Sequence, residues 1–283
     1  MTDAPPLLGA RRVQELLKRH GVRPRKRLGQ NFVVDPNTIR KLVALAEVGP
    51  TDTVIEVGAG AGSLTLGLAA VAARVIALEV DSALVPVLEE VLEGAPNVAV
   101  RHADALHTDL GALGGDSLVG NLPYGVASRI VLDALERAPG LDRFTVLTQR
   151  EVGERLAATP GTKAYGATSV MVACFAEAGV VAGVSRNAFY PVPRVDSVVV
   201  SLRRRKHPGN AALLRPVVRA AFSQRRKSLR NSLTSLAGVR RAEMALEAAG
   251  VPPLTRAEEL GVDDFFALAR ALAAAPAEGG AKG

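Results

Sequence analysis

Gly58, Gly60 and Gly62 alternate through the stretch Thr53-Val-Ile-Glu-Val-Gly-Ala-Gly-Ala-Gly-Ser-Leu-Thr65, and that spacing sets the first chemistry open to the chain. Val54, Ile55 and Val57 favour a buried strand, while Ser63-Leu-Thr-Leu-Gly-Leu-Ala69 has a helical apolar period, so the glycines fall in a strand-to-helix turn. Lacking a Cβ, they admit positive φ and let a ligand lie against the backbone at the positive end of the next helix, which suits a nucleotide-like cofactor. Carboxylates surround the turn: Glu56 precedes it, Glu79 closes the next apolar run as a ribose-hydroxyl acceptor, and Asp104 follows the third run. A second reactive stretch is Ser117-Leu-Val-Gly-Asn-Leu-Pro-Tyr-Gly125. Pro123 has no N–H and keeps Leu122 extended, so this loop offers carbonyls and the Asn121 amide with little donor competition. Such an acceptor cluster suits an exocyclic amine, and Tyr124 gives a base a face to stack on, worth ~1–3 kcal/mol.

Two cofactors compete for the glycine turn. A dinucleotide fingerprint needs its third glycine where Ser63 stands. The alternating pattern behind Glu56 resembles instead the S-adenosylmethionine (SAM) turn of class I methyltransferases. With SAM as donor, acceptors around an adenine N6 favour a pyramidal nitrogen and stabilise the positive charge arriving with the methyl group. No side-chain base is needed, because the alkylated nitrogen sheds its proton readily. The bland alternative for Asn121-Leu-Pro-Tyr124 is a proline turn with a structural tyrosine.

Other candidates lie in loops. Gln30 and Asn31, next to Phe32 and Val33, mix amide and apolar groups in a way that suits a zwitterionic ligand tail, unless Asn31 merely caps the helix from Asn37 to Ala46. The segment Asn187-Ala-Phe-Tyr-Pro-Val-Pro-Arg-Val-Asp-Ser197 holds two prolines that stiffen it, and is expected to expose Phe189 and Tyr190. Phe189 is the candidate for the second wall of a base sandwich, as in enzymes that draw a nucleotide out of its stack, although proline-flanked aromatics often only pin a loop. Arg225, Arg226, Lys227 and Arg230 cluster in Phe222-Ser-Gln-Arg-Arg-Lys-Ser-Leu-Arg-Asn-Ser-Leu233, a stretch suited to phosphate neutralisation and salt-dependent RNA binding. The four histidines form no ligand spacing with the acids, so no metal is expected.

These residues require a scaffold. Runs Val75 to Glu79, Ser82 to Leu92 and Val98 to His102 alternate strand and helix, and Ser117 to Asn121 and Phe144 to Thr148 add strands, which calls for a parallel sheet covered on both faces. Phe175 to Val184 and Val195 to Leu202 are expected to end it as an antiparallel pair. Arg203 to Gly209 reads as a linker, and Ala211–Ala221, Gln224–Leu236, Arg240–Ala249 and Asp263–Ala274 as helices, with Thr255-Arg-Ala-Glu258 as a capping box. The expected class is α/β, a Rossmann-like sheet with a small all-α C-terminal domain, divided as a basic N-terminal extension (1–30), a SAM-binding domain (31–205) and a helical RNA-contacting domain (206–283). Formal charge is +6 over residues 1–30, −7 over 31–200 and +8 over 201–283, the footprint of a nucleic-acid binder unless both basic ends are merely solvated faces. The single Cys174 excludes an internal disulfide, and no apolar run reaches the ~18 residues of a membrane span. Met1 to Ala10 lacks the apolar core of a signal peptide, so a cytoplasmic, monomeric protein is expected.

Together, Leu28-Gly-Gln-Asn-Phe32, Glu56-Val-Gly-Ala-Gly-Ala-Gly62, Asn121-Leu-Pro-Tyr124, Phe189-Tyr-Pro-Val-Pro-Arg-Val-Asp-Ser197 and Phe222-Ser-Gln-Arg-Arg-Lys227 resemble the ribosomal RNA adenine N6-dimethyltransferase family. The likeness runs from about Arg23 to at least Leu233 and is closer to the branch acting near the 3′ end of small-subunit rRNA than to the antibiotic-resistance branch. The resemblance implies dimethylation of two adjacent adenosines, with the immature small ribosomal subunit as partner. It also implies that Asn31 and Val33 line the methionine end of SAM, Gly58 its glycine loop, Glu79 its ribose and Asp104 its adenine amine, with Asn121 at the junction to the target. Tyr124 and Phe189 would flank the target base. Ala59 and Val33 depart from the family's usual proline and leucine, and both keep the site apolar. Competing functions are a ribosome-assembly binder whose methylation is secondary, and a protein or small-molecule methyltransferase.

Overall fold

The computed structural model describes residues 7–205, 210–224 and 227–276. Nine strands are present among them: β1 (Phe32–Val33), β2 (Thr53–Val57), β3 (Arg74–Glu79), β4 (Val98–His102), β5 (Ser117–Asn121), β6 (Arg143–Gln149), β7 (Ala176–Val184), β8 (Phe189–Tyr190) and β9 (Ser197–Arg204). Seven of them form one sheet in the order β4-β3-β2-β5-β6-β9-β7. Strands β2 to β6 run parallel, and β9 pairs antiparallel with β6 from Arg143↔Arg203 to Gln149↔Ser197. The strand order reverses between β2 and β5, and an open parallel sheet splays its following loops apart at that point to leave a crevice for ligand. The two strands approach closely at Gly120, where a Cβ would lie 2.4 Å from the Val57 carbonyl oxygen.

The two remaining strands, β1 and β8, pair antiparallel with Phe32 opposite Tyr190 and Val33 opposite Phe189. Because successive strand residues point to opposite faces, the pair feeds two cores. Phe32 packs in one apolar cluster with Val13, Leu16, Leu84 and Leu88, whereas Val33 and Phe189 pack in the other with Ile39, Leu42, Leu147 and Val199.

The described residues divide into two compact units. One runs to Glu154 and resumes over Ala178–Arg204; the other takes Arg155–Glu177 and the chain from Arg205 onward. The division at Arg204 falls one residue from the expected 205, whereas no division falls at residue 30 and Arg155–Glu177 joins the second unit. The N-terminal segment is part of the first unit: helix Ala10–Arg19 buries Val13, Leu16 and Leu17 as one stripe, and Arg12, Arg19 and His20 all turn to Glu90. Helix Ala167–Phe175, which the chain's periodicity did not announce, belongs to the second unit, where it packs with helices Ala211–Phe222 and Val262–Ala274. In that unit Phe222 meets Tyr165 edge-on at 6.0 Å and Phe265 in a tilted pair at 5.8 Å, and the Tyr165 hydroxyl donates to the Leu260 carbonyl at 2.7 Å.

Three local readings also change. Arg203 and Arg204 end β9 rather than open a linker, and Arg204 donates to the carbonyls of Leu135, Ala138 and Leu141, closing the end of helix Ala127–Arg137. The helix expected from Gln224 begins only at Leu229, behind Ser228. The box expected at Thr255 and Glu258 does not form; only a return bond is made one residue later, where Glu259 accepts from the Arg256 N–H at 2.9 Å.

Candidate active site

The glycine turn takes the conformation its spacing predicts, with φ of 78°, 61° and 85° at Gly58, Gly60 and Gly62. Its strand and the β5 loop stand on either side of the order reversal, and two cavities open there. The larger, about 320 Å³, is lined by Gly29, Gly58, Leu78, Asp104, Pro123 and Tyr124 among others. The smaller, about 30 Å³, is lined by Val33, Glu56, Gly58, Gly60, Ser63 and Asn121 among others. Gly58 borders both. Loop Leu28–Asn31 closes over Pro123: Gly29, at φ +64°, sits so near that a Cβ would be 3.0 Å from the Pro123 Cβ.

Asn121 is held by donating its Nδ2 to the Asn31 carbonyl at 2.7 Å, and Asn31 donates in turn to the Gly29 carbonyl at 3.1 Å. Asn31 is therefore not the cap of the following helix. Asp35 is, accepting from Thr38 N–H at 2.9 Å, worth about 1 kcal/mol. The acceptor cluster is smaller than predicted, because the Pro123 carbonyl takes the N–H groups of Val126 and Ala127 as helix Ala127–Arg137 begins. What the loop has to offer is the Asn121 Oδ1 and the Leu122 carbonyl, with buried Leu122 anchored by its N–H on the Leu147 carbonyl. Tyr124 is half-buried, which pushes its hydroxyl pKa up against a hydrogen bond with Ser197.

The three carboxylates reach one rim but differ in state. Glu56 is buried, its Oε2 has no protein partner, and burial pushes its pKa up to about 8. Glu79 is buried too, which raises its pKa although it accepts from the Gly60 N–H at 2.8 Å and the Asp81 N–H at 2.9 Å. It lines neither cavity. Burial opposes ionisation of Asp104, yet the Leu106 N–H and His107 carry its pKa below the usual carboxylate range. Gln30 is engaged as well: its Oε1 accepts from the Arg25 N–H at 2.7 Å and its Nε2 donates to Asp81 at 2.8 Å.

Phe189 and Arg230, like Glu79 and Gln30, have partners other than those their predicted roles name. Phe189 is 2% exposed in the core and borders neither cavity, because the alternation of β8 can turn only one of Phe189 and Tyr190 outward. Arg230 is paired with Glu243, its Nε and Nη2 both 2.6 Å from Oε1. Lys227 precedes the helix, and Arg225 and Arg226 lie outside the described residues. The sequence reading missed Asp81, whose side chain is wholly buried while accepting from Arg25, Gln30 and the Ala83 N–H. An acid two residues past Glu79, at a turn, was the signal for it.

Residues 21–274 match the family described as ribosomal RNA adenine dimethylase. The chain belongs to this family. As a member it is a SAM-dependent adenine dimethyltransferase, and its seven-stranded sheet is the Rossmann-like sheet of class I methyltransferases. A relative from Streptomyces griseus, ribosomal RNA small subunit methyltransferase A, is 46% identical over 279 residues, covering 95% of this chain and 96% of its own. Among solved structures, the 23S rRNA methyltransferase ErmE is 34% identical with a TM-score of 0.67, covering 86% of this chain and all of its own. A dimethyladenosine transferase from Plasmodium falciparum is 25% identical with a TM-score of 0.74, covering 83% and 94%. The residues at the order reversal fit the family's cofactor. The larger cavity is in the size range of small-molecule sites, glycine backbone faces it, and the orphaned Glu56 oxygen stands beside the smaller one.

Proposed function

We propose that the enzyme methylates N6 of two adjacent adenosines near the 3′ end of small-subunit rRNA, giving N6,N6-dimethyladenosine, and that it does so on the immature subunit as a cytoplasmic monomer. The observation that carries the site assignment is the position of Asn121, between the Asn31 carbonyl and the glycine turn, one residue before the Leu122 carbonyl and three before Tyr124. The small-subunit choice is supported by the S. griseus relative's higher identity, 46% against 34% for ErmE.

SAM supplies a methyl group on a positively charged sulfur. Val33, Gly58, Gly60 and Asp104 would hold it, Asp104 by accepting from the adenine amine of the cofactor, while Asn31 would act through its carbonyl by fixing Asn121. Glu79 and Gln30 act from behind this surface: Glu79 fixes the Gly60 N–H, and Gln30 fixes the loop over Pro123. The target amine would give its two hydrogens to the Asn121 Oδ1 and the Leu122 carbonyl, which frees the nitrogen lone pair from the ring and stabilises the charge as the bond forms. The proton then leaves to solvent. Tyr124 carries the base on its face. Lys227, with Arg225 and Arg226, would add phosphate contacts from the helical unit.

Labelled SAM incubated with naked rRNA, immature small-subunit particles or cell protein tests this reading. Label in dimethyladenosine of the particle is expected; label confined to protein or small molecules would overturn it.

A further inference from the structure

A further opening is separate from both cavities. A cleft of about 510 Å³ lies where β6 ends and β9 begins, lined by Arg150, Glu151 and Glu154 on one side and by Arg186, Arg194, Val195 and Asp196 on the other, so that three arginines face three acids. Its walls are knit by Asp196, whose carbonyl accepts from the Arg150 N–H and whose carboxylate accepts from the Arg186 N–H, both at 3.2 Å. That leaves the guanidinium groups in unequal states. Arg150 has Glu154 at 3.8 Å, an exposed pair of little strength. Among the described residues the Arg186 and Arg194 side chains have no ion pair or hydrogen bond, and both are exposed. Val192 and Val195 are also exposed, at 57% and 45%, and Pro191 and Pro193 stiffen the segment that carries them.

Two free forked cations on walls that also carry the exposed Val195 match a phosphodiester backbone with its sugars better than a compact ligand. The cleft also adjoins the target loop: Ser197, next to Asp196, is hydrogen-bonded to Tyr124. We propose that this cleft binds the RNA backbone beside the target adenosine, with Arg186 and Arg194 each neutralising a phosphate. A base stacked on Tyr124 brings its flanking phosphates with it, and Arg186 and Arg194 are exposed cations, without a side-chain partner among the described residues, in the cleft next to that base. The assignment rests on the reading that Tyr124 receives an rRNA adenine.

The test is the double variant Arg186→Gln/Arg194→Gln, assayed on small-subunit particles across a salt series. A charge control, Arg74→Gln/Arg137→Gln, removes two exposed arginines elsewhere on the sheet's unit. The cleft variant should raise KM for the particle about tenfold and flatten the slope of log kcat/KM against log salt by ~1–2, at unchanged kcat and SAM affinity. Unchanged KM and slope, or an equal effect in the control, would overturn the proposal. Failure of the wild-type enzyme to methylate rRNA would instead overturn the reading beneath it.

Discussion

Arg25 reaches across 56 residues of chain to place its Nη1 2.8 Å from Oδ1 of Asp81, whose side chain is wholly buried while that of Arg25 is 44% exposed. The same carboxylate takes Gln30, and the Asp81 N–H donates to Glu79, whose other oxygen fixes Gly60. Two buried acids, Asp81 and Glu79, thus tie the loop over the cofactor cavity to the glycine turn. Asp81→Ala should weaken SAM binding about tenfold and cost about 1–3 kcal/mol, since Arg25 can return to water but the Gln30 amide loses its acceptor. Calorimetric titration with SAM and a thermal melt measure both; wild-type values in each would remove Asp81 from this role.

Asn121→Ala takes away one of two acceptors and the bond to Asn31. The expected loss is ~10²–10³ in kcat, as for other preorganised hydrogen-bonding groups, with SAM affinity within a few-fold of wild type. Turnover measured on particles under single-turnover conditions decides it.

Asp104 sits low in pKa on the wall of the larger cavity and is ionised at neutral pH. Asp104→Ala should raise the dissociation constant for SAM by roughly one order of magnitude, the strength of a hydrogen bond to a charged acceptor. Equal affinity in a direct binding assay would place the cofactor's adenine elsewhere.

Glu56 titrates near 8 in the folded chain and near 4.5 when unfolded. Above about pH 4.5 the unfolded state gives up a proton that the folded state keeps. The contribution of Glu56 to stability is therefore fully present below that pH and is lost as pH rises toward about 8. Denaturation of the unliganded enzyme should show this decline, and Glu56→Gln should flatten it, leaving the smaller contribution of Glu79. A slope identical in the variant would mean that Glu56 ionises freely in the fold.

Phe189 packs with Val33, Leu147 and Val199. Phe189→Ala should destabilise the enzyme by about 3–5 kcal/mol, whereas Phe189→Leu keeps most of the volume and should keep most of both stability and turnover. Normal stability with lost turnover in the leucine variant would restore the ring to the base.

The parts of the site carried by backbone were legible in the chain. Alternating glycines behind a β-branched run leave one conformation, and Gly58, Gly60 and Gly62 adopt it; the strand ends likewise deliver Glu56, Glu79 and Asp104 to one edge. What resisted reading depends on partners distant in sequence. Phe189 reads as exposed beside two prolines, and only its pairing with Val33 turns it inward. Arg230 reads as a free cation because the next acid, Glu243, is thirteen residues away on another helix. Helix Ala167–Phe175 is apolar on all sides with two β-branched valines, so no period distinguishes it from a buried strand.

The small β1–β8 sheet joins residue 32 to residue 190, and this has a bearing on how the enzyme comes to exist in a cell. On the ribosome that makes it, the segment beside Val33 has no strand to lie against until Tyr190 has left the exit tunnel. Strands β2 to β5 can already be in place while this wall of the donor pocket is still being translated. The wall that Val33 gives the smaller cavity is therefore completed only late in synthesis.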